Sequence, residues 1–136
     1  MAEQRAAATT DVDSGPLGNR LGIELDEVGP ERVTGRMPVD GNTQPFGVLH
    51  GGASCVLAES LASVGACAHF AADGGVGVGV EINASHLRPV TSGWVTGVAT
   101  AVRLGRTHAT YEIAVTDDQG RRVCSARMTC VRAPAR

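Results

Sequence analysis

Residues 50–75 of the 136-residue chain read HGGASCVLAESLASVGACAHFAADGG. The stretch opens on a glycine pair and closes on Asp73-Gly74-Gly75, and both ends are typical of helix boundaries. It is apolar nearly all round, so a helix formed here must be surrounded by other structure rather than laid on a surface by one stripe. Its many Ala, Ser, Gly and Cys side chains are small enough for a sheet to approach closely. The sequence therefore predicts a long central helix, about 50–72, wrapped by a β-sheet.

Alternating apolar residues on both sides of this helix predict strands. Upstream, residues 21–25 and 32–37 form a candidate pair separated by Gly29-Pro30. Downstream, the alternating segments are 76–90, 94–104, 107–116 and 121–131, with turn-forming residues at 117–120. Four consecutive strands with short connections favour an antiparallel meander. We therefore expect an α+β fold with a mainly antiparallel sheet.

The length of the chain is typical of one domain. Residues 1–16 are polar, rich in Ala and Thr, and end in Ser14-Gly15-Pro16, a composition that predicts a flexible N-terminal tail. Residues 17–136 are then a single domain. Because only 3% of the residues are aromatic, the core must be built from Val, Ala, Leu and Ile.

The charge of the chain favours neither nucleic acid nor an anionic membrane as a partner. Twelve Lys and Arg against 14 Asp and Glu give a formal net charge of −2, which creates no attractive field for polyanions. Glu59 and His69 interrupt the longest apolar run, which falls short of the roughly 18 apolar residues of a membrane span. We expect a cytoplasmic protein.

The four cysteines predict free thiols rather than a metal site or disulfides. They form no C-x-x-C pair and have no histidine at ligand spacing. On one helix Cys55 and Cys67 would lie about 18 Å apart, and on one strand Cys124 and Cys130 roughly 20 Å apart, beyond disulfide reach. We expect buried or half-buried thiols in a reducing compartment.

Glu59 is the one acidic residue between Asp40 and Asp73, and it lies in the middle of the apolar helix. An ionised carboxylate in a low-dielectric interior is costly unless it is paired or opens onto a cavity. No Lys or Arg occurs between Arg36 and Arg88 to pair with it locally. Glu59 is therefore a candidate general base or nucleophile. The alternative is that it lies on an exposed stripe of the helix.

Two further features of the helix bear on chemistry. Ser63 lies four residues after Glu59, where its hydroxyl can orient the carboxylate or a water, although it can equally serve tight packing. His50-Gly51-Gly52 falls at the helix N-terminus, where free N–H groups and the helix dipole favour developing negative charge. A thioester carbonyl placed there would find an oxyanion hole. A glycine pair at a helix start, however, often marks only the helix boundary and has no chemical role.

Residues 44–63 resemble the active-site segment of hotdog-fold acyl-CoA thioesterases. The resemblance is to the branch with the aryl-CoA (4-hydroxybenzoyl-CoA, phenylacetate-pathway) type and, most closely, the proofreading thioesterases of enterobactin synthesis. In that branch a Gln, a His, the catalytic carboxylate and a Ser or Thr share the spacing of Gln44, His50, Glu59 and Ser63. Residues 81–90, 104–106 and 118–124 also resemble the family, so the resemblance covers roughly residues 17–132.

The resemblance implies a hotdog-fold thioesterase that hydrolyses acyl- or aryl-CoA, or a misloaded acyl carrier protein. It implies that Glu59 attacks the thioester carbonyl or activates water and that Ser63 supports this water. The Gly51 N–H and Gln44 would hold the carbonyl oxygen, and His50 would help to position the thioester. It also implies sites shared across a homodimer, usually with two dimers in a tetramer, and no cofactor beyond the coenzyme A of the substrate.

The best local cations for the pantetheine and nucleotide are Arg88 and Arg106, with the Gly105 backbone able to approach phosphate. Each arginine could equally be a solvated strand-end residue. We expect the other polar and aromatic residues to be structural: His86 and His108 on strands, His69 as a cap on the helix carbonyls, and Trp94 and Tyr111 in packing or in an acyl pocket.

Two other functions remain open at this stage. Hotdog hydratases and dehydratases pair a His with a carboxylate in a different arrangement, and the H-G-G motif with its nine-residue spacing to Glu59 disfavours them. A non-catalytic acyl-CoA binding module would need no acid in the helix, and Glu59 disfavours it.

Overall fold

The computed structural model describes residues 12–136. One long helix packs against a six-stranded antiparallel sheet, which confirms the expected α+β architecture. The elements are α1 (Gly15–Leu21), β1 (Glu24–Val28), β2 (Arg32–Pro38), α2 (Gly51–Phe70), a 3-10 turn (Ala71–Asp73), β3 (Gly75–His86), β4 (Trp94–Leu104), β5 (His108–Thr116) and β6 (Arg122–Pro134).

The start of the domain differs from the expectation. Most of the predicted tail, residues 1–11, lies outside the described residues. Helix α1, which the sequence did not predict, includes Gly15 and Pro16 from the end of that tail. The helix ends at Gly22, whose φ of 77° is readily available to glycine.

The sheet order is β1-β2-β4-β5-β6-β3, so β3 is an edge strand. The predicted meander is correct for β4, β5 and β6 but wrong for β3, which pairs with β6. The connection 87–93 explains the difference, because it is far longer than the two-residue loop of a tight hairpin. It must pass three strand positions, about 14 Å at the usual strand spacing, and seven residues can do so.

Glycines in the sheet allow α2 to approach it closely. Gly35 on β2 pairs with Gly97 on β4, and both lie under Leu61 of the helix. A Cβ on Gly35 would lie 2.9 Å from Leu61 Cδ2, and one on Gly97 would lie 2.6 Å from Leu61 Cδ1. The paired glycines therefore form a groove for one leucine side chain.

Only one half of α2 packs on the sheet. The buried residues of the helix are Ala53, Ser54, Leu57, Ala58, Leu61, Ala62, Gly65, Ala66 and Phe70. The opposite half, with Cys55, Glu59 and Ser63, is partly or fully exposed in the single chain. The sheet of one chain therefore covers one half of the central helix and leaves the other half partly exposed.

The apolar composition of α2 also bears on the membrane prediction. With the turn that follows it, the helix spans Gly51–Asp73, and the most apolar 18-residue window in it has a mean hydropathy of 1.4, so it is long and apolar enough to cross a membrane. The expectation that no segment approaches such a span is therefore wrong on length and hydropathy. In the structure this segment is the core helix, and its contacts with the sheet account for much of its apolar composition.

A bulge in β3 changes which residues face the helix. The pairing with β6 skips Val80, between Gly79 and Glu81. Before the bulge, Gly77 and Gly79 face α2, whereas after it the even-numbered residues Ile82, Ala84 and His86 lie on that side. Because side chains alternate along a strand, one extra residue reverses the pattern.

The glycine groove leads to a stability prediction. We expect Gly35→Ala to lower the free energy of unfolding by about 1–3 kcal/mol, because small-to-large changes at a packed site force atoms apart. The new Cβ would lie 2.8 Å from the backbone oxygen of Glu24, which cannot move alone. Urea unfolding at unchanged m-value measures the effect. Gly29→Ala is the control, since its Cβ meets its nearest atom at 3.6 Å. Equal stability of the two variants would contradict the close approach.

Candidate active site

The N-terminus of α2 is capped by a side chain in a way that leaves one amide free. His50 is the N-cap residue, and its Nδ1 accepts the N–H of Gly52 over 2.8 Å. Because Nδ1 is an acceptor, the proton of the neutral ring is on Nε2. The first helical N–H, that of Gly51, has no intrahelical acceptor and no other acceptor among residues 12–136. Gly51 therefore presents a free donor at the positive end of the helix dipole.

Gln44 lies in the loop before α2. Its N–H donates to Val48 O over 2.8 Å, and that of His50 donates to Asn42 O over 2.9 Å, so the loop folds back on itself. The side-chain oxygen of Gln44 accepts the N–H of Phe46. This bond assigns the oxygen of the amide and leaves its NH2 group as the donating end. Gln44 therefore has the correct polarity to bind a carbonyl oxygen.

Gln44 and Gly51 line one cavity of about 340 Å³. Its wall also contains Arg88, which is the predicted cation that the structure brings to this site. The cavity is within the usual size range of small-molecule sites. Three predicted site residues, Gln44, Gly51 and Arg88, therefore line one cavity at the start of α2, where His50 caps the helix.

His86 lines the same cavity, although the sequence predicted a structural role for it. Its ring packs against Gly51 so closely that a Cβ there would lie 2.7 Å from His86 Nε2. The bulge at Val80 places His86 on the helix side of β3. Alternation along the strand from Val78 and Val80 puts the even-numbered residues, including His86, on one face of the sheet. The sequence does not reveal the bulge, so it cannot show that this face lies toward the helix.

Glu59 lies on the half of α2 that faces away from the sheet, and it is exposed in the single chain. The expectation of an enclosed acid is therefore wrong for one chain, and the alternative of an exposed stripe describes it. Glu59 Oε1 lies 3.3 Å from where a Cβ on Gly79 would be, so the carboxylate rests above the edge strand. The ion pairs between described residues join other side chains. Ser63, one turn later, is half-buried on the same face.

One chain does not bring Glu59 and Gly51 together. The carboxylate lies over Gly79, whereas Gly51 lies against His86, seven residues along β3. Along α2, Glu59 follows Gly51 by eight residues, which separates their backbones by about 12 Å at 1.5 Å per residue. Hydrogen bonds and nucleophilic attack need contacts near 3 Å. A second copy of the chain must supply one half of any site that uses both.

Gly105 and Arg106 lie at the opposite end of the molecule from Arg88. His69, near the end of α2, bonds through Nε2 to Gly105 O over 2.6 Å. This contact replaces the predicted role of His69 as a cap on its own helix, because the β4–β5 turn comes within its reach. Arg88 instead follows the other end of β3. A single chain therefore cannot bind one small ligand with both arginines.

Trp94 and Tyr111 are both packing residues. The Tyr111 ring is fully buried under Gly65, and its hydroxyl donates to Pro30 O. Trp94 lies under the guanidinium of Arg36, 3.9 Å from the ring centroid. The alternative that either ring lines the cavity beside Gly51 is not supported, because neither contributes to its wall.

The cysteines are free thiols, half-buried at Cys55 and Cys67 and buried at Cys124 and Cys130, as predicted. Burial and the negative charge of Glu59 raise the pKa of the Cys55 thiol, which disfavours the nucleophilic thiolate. Burial, Cys67 and Glu59 raise the pKa of Cys130 to about 11. In the part of the chain that the structure describes, no three His, Cys, Asp or Glu side chains could hold a metal ion.

Comparisons with known proteins identify the family of the chain. Residues 46–124 match the profile of the thioesterase superfamily. The chain is 47% identical over 116 residues to the proofreading thioesterase EntH of Cronobacter turicensis, covering 85% of this chain and 84% of the relative. It is 46% identical over 119 residues to a putative esterase of Pseudomonas aeruginosa, covering 87% and 82%.

Solved structures give the same result. A thioesterase from Haemophilus influenzae superposes with a TM-score of 0.81 at 39% identity, covering 87% of this chain and 82% of that one. A mutant thioesterase from Pseudomonas aeruginosa gives a TM-score of 0.83 at 44% identity, covering 88% and 86%. The profile match extends over more than half of the chain and includes the start of α2 and Glu59. The chain therefore belongs to the thioesterase superfamily, has its hotdog fold, and is a thioester hydrolase.

Proposed function

We propose that the substrate is an acyl or aryl thioester of a phosphopantetheine thiol, carried on coenzyme A or on a misloaded acyl carrier protein. Hydrolysis would yield the free acid and the thiol. The observation that carries the proposal is the N–H of Gly51, which has no acceptor among the described residues. The next N–H, that of Gly52, donates to the His50 ring instead. A thioester oxygen bound there gains a stronger hydrogen bond as it becomes negative, which is the basis of oxyanion stabilisation.

Three residues would hold and polarise the thioester. Gly51 and Gln44 both line the cavity at the start of α2, and the Gly51 N–H and the Gln44 amide NH2 would donate to the carbonyl oxygen. His50 would act chiefly through the backbone, since its Nδ1 is used in capping, and its Nε2–H would position the thioester. Loss of one such donor typically costs about 2.7–4 kcal/mol of transition-state stabilisation.

Glu59 would supply the base or nucleophile from the other subunit of a homodimer. An antiparallel pairing of β3 with the same strand of a second copy, about a two-fold axis between Ile82 and Asn83, brings Gly79 beside the partner's His86. The Glu59 carboxylate above Gly79 then approaches the amide of the partner's Gly51. Ser63, one turn from Glu59, would support the attacking water. Each dimer then contains two such sites.

The exposed edge of the sheet supports this pairing. Strand β3 has 12 residues, and Val78 and Val80 are 46% and 58% exposed. A long apolar edge strand is a template for further pairing, and proteins normally cover one. A second copy of β3 would satisfy its backbone groups, and the outward half of α2 would face its equivalent. We extend the proposal to a tetramer of two such dimers, as the resemblance implies.

The same axis would join the two halves of a nucleotide site. It places Arg88 beside the beginning of the partner's β3, at Gly77. Within a chain Gly77 pairs with Arg132, whose N–H donates to Thr107 O over 2.9 Å. The partner's Gly105 and Arg106 then lie two strands away, about 10 Å. Arg88 and the partner's Arg106 would thus bind phosphates that one chain cannot bridge.

The proposal includes no cofactor, because coenzyme A is part of the substrate. It includes a cytoplasmic location, and no nucleic-acid or membrane partner. The formal charge of −2 supports the absence of a polyanion partner. The half-buried and buried free cysteines support a reducing compartment.

The test is thiol release from a panel of thioesters. We expect the protein to release thiol, detected with a chromogenic thiol reagent, from at least one of benzoyl-, hydroxybenzoyl-, phenylacetyl- and medium-chain acyl-CoA or the matching acyl carrier proteins. A typical enzyme would do so at about 1–10³ turnovers per second. The ranking of acyl groups and carriers identifies the substrate.

Two other outcomes would replace the proposal. Hydration of an enoyl-CoA, seen as loss of its ultraviolet absorbance without thiol release, would indicate a hydratase. Saturable binding of acyl-CoA with no release from any thioester would indicate a binding module.

A further inference from the structure

The His86 side chain is not explained by the fold alone. It is exposed at the end of the edge strand, yet its ring is held against the Cα of Gly51. Neither ring nitrogen has a hydrogen-bond partner among the described residues, whereas the rings of His50, His69 and His108 each have one. Because the side chain is exposed, water can satisfy both nitrogens in the free chain, and no bond to the protein occupies them. The free nitrogens of His86 are therefore available to a ligand.

The position of these nitrogens is specific. Nε2 is the ring atom closest to the place that a Cβ on Gly51 would occupy, at 2.7 Å. It therefore lies beside the residue whose free N–H is the proposed oxyanion donor, in the cavity that Gln44 also lines. A carbonyl oxygen bound to Gly51 and Gln44 would lie within reach of a third donor from the strand side. Any side chain at position 51 would displace the His86 ring. Glycine at this position therefore lets the free N–H of residue 51 and the His86 ring lie side by side.

We propose that His86 is a further catalytic residue, which donates a hydrogen bond from Nε2 to the oxygen of the bound thioester. The inference rests on the proposed function of the cavity and adds a donor from β3 to the two at the start of α2. Since the oxygen gains negative charge during attack, this bond is stronger in the transition state than in the substrate complex. Its loss lowers kcat and leaves KM nearly unchanged.

Variants at position 86 separate hydrogen bonding from packing. His86→Phe keeps a ring against Gly51 but has no N–H, and we expect it to lower kcat on benzoyl-CoA about 100-fold or more, the usual cost of one oxyanion donor. His86→Gln retains an N–H donor on a flexible chain, and we expect it to recover part of that loss. Thermal unfolding checks that both variants fold. If His86→Phe keeps the kcat of the wild type, the ring only packs and the proposal fails.

A second measurement does not depend on turnover. Phenacyl-CoA has a methylene between sulfur and carbonyl, so it binds without being hydrolysed. We expect it to shift the Nε2 resonance of His86 in ¹⁵N-histidine spectra of the wild-type protein. Binding without this shift overturns the His86 assignment while leaving thioester hydrolysis intact. A shift in a protein that releases no thiol from any thioester overturns the proposed reaction and leaves the His86 contact standing. Failure of phenacyl-CoA to bind to a protein that hydrolyses benzoyl-CoA overturns the assignment of this cavity to the thioester, and with it the His86 contact.

Discussion

Replacing Glu59 by glutamine is expected to lower kcat for thioester hydrolysis about 10³-fold or more, because an amide is neither a base nor a nucleophile at neutral pH. The two side chains have nearly the same shape, and Glu59 is exposed in the chain, so the fold should not change. The KM for the thioester should change little, since Gly51 and Gln44 are the groups proposed to hold the oxygen of the substrate. Thiol release at saturating substrate measures the loss, and thermal unfolding checks the fold.

A matched control is available on the other side of the sheet. Glu112 is an exposed glutamate of β5 in a shallow depression on the outer face, away from α2. Glu112→Gln removes one negative charge as Glu59→Gln does, and we expect it to retain the wild-type rate. Full turnover by the Glu59→Gln protein, or an equal loss in both variants, would show that Glu59 does not take part in the chemistry.

Much of the fold follows from local patterns. The glycine pair and Asp73-Gly74-Gly75 mark the ends of α2 to within a few residues, and alternation locates β2 to β6. The first strand, predicted at 21–25, lies three residues later, at Glu24–Val28, because the preceding residues form α1. The order of the strands in the sheet is harder to predict from the sequence, because it depends on the segments that connect the strands rather than on the strands themselves. The seven-residue segment 87–93 is long enough to reach several positions in the sheet, so sequence order alone does not place β3 beside β6.

The apolar pattern of α2 indicates burial but not what buries it. Half of the helix packs on the sheet of its own chain, and the other half, which carries Glu59, is left exposed. In the proposed dimer a second copy of the chain covers that half. The apolar residues of α2 then belong to two interfaces, one with the sheet of their own chain and one with the partner. A single sequence does not separate them, and for this reason the enclosed acid predicted from it is absent from the single chain.

Only part of the candidate site could be predicted from the sequence, for a similar reason. The resemblance to hotdog thioesterases implies roles for Gln44, Gly51 and Glu59, which are close in sequence. His86 lies 35 residues beyond Gly51, and its position depends on the bulge at Val80, which sequence alternation does not reveal. The separation of Arg88 from Arg106 depends on strand order, which sequence analysis also missed in part.

Mixing two inactive variants is expected to restore activity if the site is shared between subunits. In the proposed dimer each site combines Glu59 of one chain with Gln44 of the other. A dimer of one Glu59→Gln chain and one Gln44→Ala chain therefore contains one intact site and one doubly altered site. One of the two sites in such a mixed dimer is intact, so we expect about half of the wild-type activity per mixed dimer. The proteins are co-expressed with different tags, and thiol release is measured on dimers that carry both.

The double variant Glu59→Gln/Gln44→Ala provides the decisive control. Paired with a wild-type chain, it alters one residue in each of the two sites, so the mixed dimer should be nearly inactive although half of its chains are wild type. A site formed within one chain predicts the opposite pattern, with no recovery from the two single variants and half activity from the wild-type mixture. Because Glu59 and Gly51 lie eight residues apart on one helix, about 12 Å along its axis, only the first pattern is consistent with both groups acting on one thioester.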